Sequence, residues 1–140
     1  MKWKDGWIAV QLRHRVIHRL PGRMRVHVPA LREAAEGFRD TVDALLQGFE
    51  LPKGFRSVEA SYATGNLLIC YDAKALAERD VLEWLFQIRR IARDILARFT
   101  EMDEDQTGRI ERQLLDFFRA ASERGARIDE SFAVPDQVWH

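Results

Sequence analysis

Residues 13–28, RHRVIHRLPGRMRVHV, alternate basic and apolar side chains on either side of Pro21-Gly22. A period of two is that of a β-strand, whose successive side chains point to opposite faces. Pro-Gly between two such runs is a turn. The stretch therefore predicts a hairpin with five arginines and three histidines in sixteen residues. In the first strand, residues 7–19, Ile8, Val10, Leu12 and Val16 share one face, and Gln11, Arg13, Arg15 and Arg19 the other. The alternation slips at His14 and His18, which fall on the apolar face, and at Ile17, which falls on the basic one. In the second, residues 23–28, Met24, Val26 and Val28 alternate with Arg23, Arg25 and His27.

Matching the apolar faces across the turn requires a loop of odd length. The sequence thus predicts a three-residue loop, Leu20-Pro21-Gly22, with Gly22 in the left-handed conformation. That register sets Arg19 opposite Arg23 and Arg15 opposite His27, and like charges directly opposite each other are destabilising. Either water covers such a row or something anionic binds it. Glu59 and the acidic C-terminal region are internal candidates for the counter-charge; a phosphate, carboxylate or acidic protein segment is the external one.

The rest of the chain reads as alternating helices and strands. Leu31, Ala34, Ala35, Phe38, Val42, Leu45 and Leu46 follow helical spacing over about 31–46, with Pro29 ahead and Gly48 behind. A strand follows at 55–62, then a turn at Ala63-Thr64-Gly65-Asn66. The strand at 67–71, LLICY, is apolar on both faces and so central in a sheet. A second helix runs from Glu78 to about Phe99, and a third over roughly Arg109–Arg124, ended by Gly125. Residues 126–140 read as an irregular tail. The order is ββαββαα. We expect α+β, a ferredoxin-like βαββα sandwich with an added N-terminal strand and a C-terminal helical extension. Residues 1–100 form the ferredoxin-like domain, and 101–140 an acidic helical extension and tail of the same domain. The N-terminal strand is expected on the sheet edge that the usual fourth strand occupies.

Residues 18–31 (HRLPGRMRVHVPAL), 51–72 (LPKGFRSVEASYATGNLLICYD) and 81–85 (VLEWL) resemble, in this order and spacing, the heavy-metal-associated domain family. In its better-known branch the loop after the first strand carries Met-x-Cys-x-x-Cys, whose thiolates bind copper or zinc. Here that loop is His27-Val28-Pro29-Ala30-Leu31 and holds no cysteine, so the resemblance is to the branch lacking the motif. The Arg19-x-x-Gly22-Arg23 pattern is similar to an element of the N-terminal domains of some metal-transporting P-type ATPases. It is also similar to small accessory proteins associated with iron-storing compartments. The resemblance implies a metal-homeostasis setting and a metal-transport or metal-storage protein as partner.

The candidate site is the basic face: Arg13, Arg15, Arg19, Gly22, Arg23 and Arg25 for an anion or partner. The N/S donors for a transition metal ion are His18, His27 and Cys70, and no cofactor is certain from them. Strand residues four apart are about 13 Å apart, so His14 and His18 cannot grip one ion. Cys70 reads as a buried small hydrophobe. Residues 103–114 resemble a calcium loop, with Asp103, Asp105 and Thr107 at ligand positions, but Leu114 stands where a bidentate Glu is needed. A helix break capped by Thr107 or Asp105 is the simpler reading. Nucleic acid is disfavoured because the exposed positions of the central strands, Arg25, His27, Leu68 and Cys70, offer no aromatic for base stacking. No nucleophile–base set or phosphate-cradling loop appears, so the chain is not expected to be an enzyme.

Charge is unevenly spread. Residues 1–32 carry +7, residues 33–98 carry −2 and residues 99–140 carry −5, which sum to zero. The N-terminus MKWKDGW has no apolar segment of a secretory signal, no run is long enough to span a membrane, and Cys70 is the single cysteine. A cytoplasmic setting follows as an expectation. The broad apolar stripes of the later helices (Leu82, Trp84, Leu96, Phe117, Phe118) exceed what one short sheet covers. They predict that the third helix packs on the open sheet face or against the second helix, or that the surplus forms a homodimer or partner interface.

Overall fold

The computed structural model describes residues 15–33 and 36–140. Arg13 and the rest of the predicted first strand before residue 15 lie outside the described residues. The elements are β1 (Arg15–Leu20), β2 (Arg23–His27), α1 (Ala30–Glu33), α2 (Glu36–Gln47), β3 (Phe55–Ser61), β4 (Asn66–Tyr71), α3 (Glu78–Phe99) and α4 (Glu104–Glu123). A single 3-10 turn, Asp136–Trp139, follows. The strands form one sheet in the order β1-β2-β4-β3, each neighbouring pair antiparallel. This is an α+β architecture consistent with a ferredoxin-like fold, with β1 at the edge beside β2 and β4 in the interior of the sheet. Met24, Val26, Val58, Leu67, Ile69 and Tyr71 are buried on the helix-covered face, with Leu45 and Leu46 of α2 and Leu85 and Ile88 of α3 in the same core.

The hairpin departs from the predicted register. Leu20 pairs with Arg23, Arg19 with Met24 and His18 with Arg25, so the loop has two residues, Pro21 and Gly22. Gly22 takes φ 81°, and Pro at the first central position with a left-handed Gly at the second is the signature of a type II turn. The frame that a two-residue loop would invert is restored by a bulge between Val16 and His18, after which Val16 pairs with Val26 and Arg15 with His27. Ile17 is the extra residue and is 42% exposed. Arg15 therefore faces His27 as expected, whereas Arg19 does not face Arg23, and His18 turns from the apolar face to the open one.

α4 begins five residues before the predicted start. Gln106 N donates to Asp103 Oδ1 at 2.8 Å and Asp103 N to Gln106 Oε1 at 3.3 Å, a reciprocal cap. Asp103 is thus the cap, in place of Asp105 or Thr107, and residues 104–114 are helical and not a calcium loop.

α4 packs on α2, and the open sheet face is left exposed at Arg15, Arg23 and Arg25. Fully buried Thr41 donates its hydroxyl to Glu111 Oε2 at 3.4 Å, and Ser122 Oγ donates to the Gly48 carbonyl. Phe118 and Phe132 both meet Phe49 edge-on, with centroids 5.9 and 5.4 Å apart. The irregular tail is docked, not loose. Trp139 is 5% exposed beneath the Arg98 guanidinium, 4.8 Å from the ring centroid, and Gln113 Nε2 donates to the Val138 carbonyl at 2.9 Å. Trp84, Leu96 and Phe118 are buried within the chain, whereas Leu82 and Phe117 are partly buried and Phe86 is 49% exposed.

Two stability measurements follow. A Cβ on Gly22 would lie 2.8 Å from the Tyr71 carbonyl oxygen at positive φ, whereas one on Gly108, inside α4, meets nothing nearer than Arg112 Nη1 at 3.9 Å. In urea unfolding, Gly22→Ala is expected to lose about 1–3 kcal/mol, while Gly108→Ala gains about 0.5–1 kcal/mol. The second concerns Glu111, whose carboxyl is raised above its ordinary value first by burial and then by the Asp40 charge. A raised carboxylate contributes stability at low pH that is lost as pH rises through the folded-state value. Glu111→Gln is therefore expected to be more stable than the parent at neutral pH, with the gap closing as pH falls to about 4, below the ordinary Glu value.

Candidate functional site

Directly paired residues in an antiparallel sheet share a face, so the register arranges the open face in three rows. The first is Arg15, His27, Asn66 and Ser61; the second His18, Arg25, Leu68 and Glu59; the third Leu20, Arg23, Cys70 and Ser57. Successive rows are about 6.8 Å apart along a strand. The cationic side chains lie on β1 and β2. The interior strand β4 presents only half-buried Asn66, Leu68 and Cys70, and β3 presents two serines and Glu59. Leu20 is 50% exposed in the row of Arg23.

The bulge splits the predicted arginine row. Arg15, Arg23 and Arg25 stand exposed on the open face. Arg19 projects on the helix side with Met24, and its Nε lies 3.1 Å from Glu78 Oε1 at the start of α3. Gly22 serves the turn: its carbonyl accepts from Tyr71 N at 2.9 Å, tying the hairpin tip to the end of β4. Arg15, Arg23 and Arg25 have no ion pair or side-chain hydrogen bond among the described residues, unlike Arg19, Arg98, Arg119 and Arg127. Glu59 shares a row with Arg25 but stands two strands away, about 9.6 Å, and makes no ion pair with it.

The candidate metal ligands stand one to a row, and each has an arginine as its cross-strand partner: His27 with Arg15, His18 with Arg25, Cys70 with Arg23. Cys70 is half-buried on the open face and not sealed in the core. His27 Nδ1 donates to Asn66 Oδ1 at 3.0 Å, which leaves Nε2 as its remaining ring nitrogen. No group of three or more His, Cys, Asp or Glu side chains among the described residues could hold a metal ion. A guanidinium beside each donor opposes a bound cation by simple Coulomb repulsion. These residues do not fit a resident metal.

Other charged groups are engaged in structure. Tyr62 donates its hydroxyl to Asp43 Oδ1 at 2.6 Å beneath the Arg39 guanidinium, and burial together with that carboxylate pushes the phenol far above its ordinary value. In a groove of about 390 Å³ between α3 and the tail, Asp80 accepts from Ala77 N and Glu83 from Gln87. Asp129 accepts from the Ser131 hydroxyl and amide, which hold its carboxyl below the usual range.

The alternation pattern found the cationic residues and missed two neighbours, Leu20 and Asn66. Leu20 falls out of frame in the sequence only because the break at Ile17-His18 is read as noise and not as a bulge.

A family model described as heavy metal associated domain 2 matches residues 11–124. No curated protein and no solved structure matches the chain.

If the open-face arginines serve a ligand and not the fold, removing them leaves stability intact. Arg23→Thr and Arg25→Thr are expected to change unfolding free energy by no more than about 0.5 kcal/mol. Arg90→Ala is expected to lose about 1–3 kcal/mol, because Arg90 Nη2 donates to the Phe132 carbonyl at 2.9 Å and holds the tail. Denaturant titration of the three variants tests the contrast.

Proposed function

The chain belongs to the heavy metal associated domain 2 family, and from that membership we propose that it is a non-enzymatic accessory or adaptor in transition-metal homeostasis, with iron the first metal to test. It acts through protein contacts at the open face of the β1–β2 hairpin, and its partner is a metal-transport or metal-storage protein. The sheet order supports reading the fold as ferredoxin-like with β1 in the fourth-strand position. The observation that carries the adaptor role is the pairing of every candidate ligand with an arginine, which favours a contact surface over an ion carrier. No helix among the described residues is long and apolar enough to cross a membrane, and we place the protein in the cytoplasm.

A second reading, an anion- or nucleic-acid-binding module without a metal role, is favoured by the same unpaired arginines. Two measurements separate the readings. Purified protein is expected to hold no stoichiometric iron, zinc or copper by elemental analysis, and none of these ions is expected to shift its melting temperature. A strain lacking the gene is expected to show altered cellular metal content under limitation, restored by the parent and not by Arg23→Ala/Arg25→Ala. Unchanged content of all three metals would sink the homeostasis role, and tightly retained metal would sink the adaptor role.

A further inference from the structure

We infer that the open face takes an extended acidic protein segment whose carboxylates, two residues apart, pair with Arg23 and Arg25 while their methylene stems lie over Leu20 and Leu68. This rests on reading that face as a protein-contact surface and supplies the chemistry of the partner.

Spacing carries the first part. Arg23 and Arg25 are alternate residues of one strand, so their side chains leave the same face about 6.8 Å apart. Residues i and i+2 of an extended partner have the same separation and direction, so two carboxylates can each receive a charge-assisted, bidentate guanidinium contact. A helical partner sets carboxylates at i and i+4 about 5–6 Å apart, short of the spacing of the arginines, and tighter binding of a helix-forming peptide with that spacing would overturn the extended form.

Unmet charge carries the second. Among the described residues that the register pairs on this face, three arginines stand with one carboxylate, Glu59, two strands from Arg25. The chain's acidic third does not reach this face: α4 packs on α2, and the tail is held against α3 and α4 by Trp139, Gln113 and Arg90. The sequence before residue 15 carries Lys2, Lys4 and Arg13 against Asp5 alone, so it brings no excess of carboxylate.

The neighbours select the class of anion. Leu20 is half exposed and Leu68 half-buried, and beside the arginines and Glu59 the remaining positions are His18, His27, Ser57, Ser61, Asn66 and Cys70. The methylene stems of two glutamates can lie over Leu20 and Leu68 while their carboxylates reach the arginines, and the residues between them point away from the face. The face carries no Phe, Tyr or Trp among the described residues, which leaves the imidazoles of His18 and His27 and the guanidinium planes for base stacking, and the thymidylate control tests that use.

The test uses the full chain and fluorescence anisotropy. The probe is a labelled peptide with glutamates at alternate positions separated by Thr and Val. Controls are its all-Gln counterpart, a thymidylate dodecamer and phosphatidylserine vesicles. The Glu peptide alone is expected to bind, weakening about tenfold or more between about 50 and 300 mM salt. Arg23→Gln/Arg25→Gln is expected to weaken it about tenfold or more, with an unchanged melting temperature, while Lys53→Gln/Lys74→Gln leaves it unaltered. Equal binding of the Gln peptide, absence of Glu-peptide binding, or tighter binding of DNA or vesicles through the same arginines would each overturn the inference. Altered cellular metal content that depends on Arg23 and Arg25 would survive that failure, which keeps the adaptor reading separately testable.

Discussion

A two-residue turn joins β1 and β2, while their apolar side chains are spaced for an odd loop. The mismatch of one residue has to be absorbed somewhere, because strand side chains alternate strictly between faces and a slip inverts them all. Ile17 absorbs it. Had β1 run on without the bulge, Val16 would share the open face with His27, and Arg15 would project under the helices. With the bulge, Val16 meets Val26 in the core and Arg15 stands in the open. Beyond it, Arg19 reaches Glu78 on α3. One extra residue thus returns Arg15 to the face that carries Arg23 and Arg25, while Arg19 stays on the helix side with Glu78. The unpaired character of the face depends on this sorting.

The C-terminal third settles a different question. Helix stripes too broad for a four-stranded sheet find much of their cover inside the chain, with Trp84, Leu96 and Phe118 buried. α2 receives the core on one flank and α4 on another, and Phe49 sits where the aromatic rings of α4 and the tail converge. Burying large side chains twice over, against the sheet and against an added layer, is how a small sheet supports a chain of this size. The extension covers part of the helical side, and among the described residues the sheet's other face is left open.

Legibility followed how local the physics was. α3 runs over the residues its apolar spacing marks, because a 22-residue amphipathic stretch outweighs errors at single positions. α4 was harder. DEDQTG carries the side chains of a loop, yet Asp103 and Gln106 satisfy each other's backbone amides and Gly108 is tolerated inside the helix. Which helix α4 packs on is a tertiary property with no trace in its own sequence. For the site, the arginines and the interior placement of LLICY could be read directly. The register could not, since Leu20-Pro21-Gly22 fits the alternation better than the turn that forms. The flaw in that alternation, Ile17 among basic residues and His18 among apolar ones, is the imprint of the bulge.

Cys70 stands in the row of Arg23 on a face otherwise free of thiols, and it is the one cysteine in the sequence. Its sulfur therefore acts as a native reporter of occupancy. Whatever covers Arg23 also shields that thiol, so the rate of alkylation maps the footprint of a bound partner without any substitution in the chain.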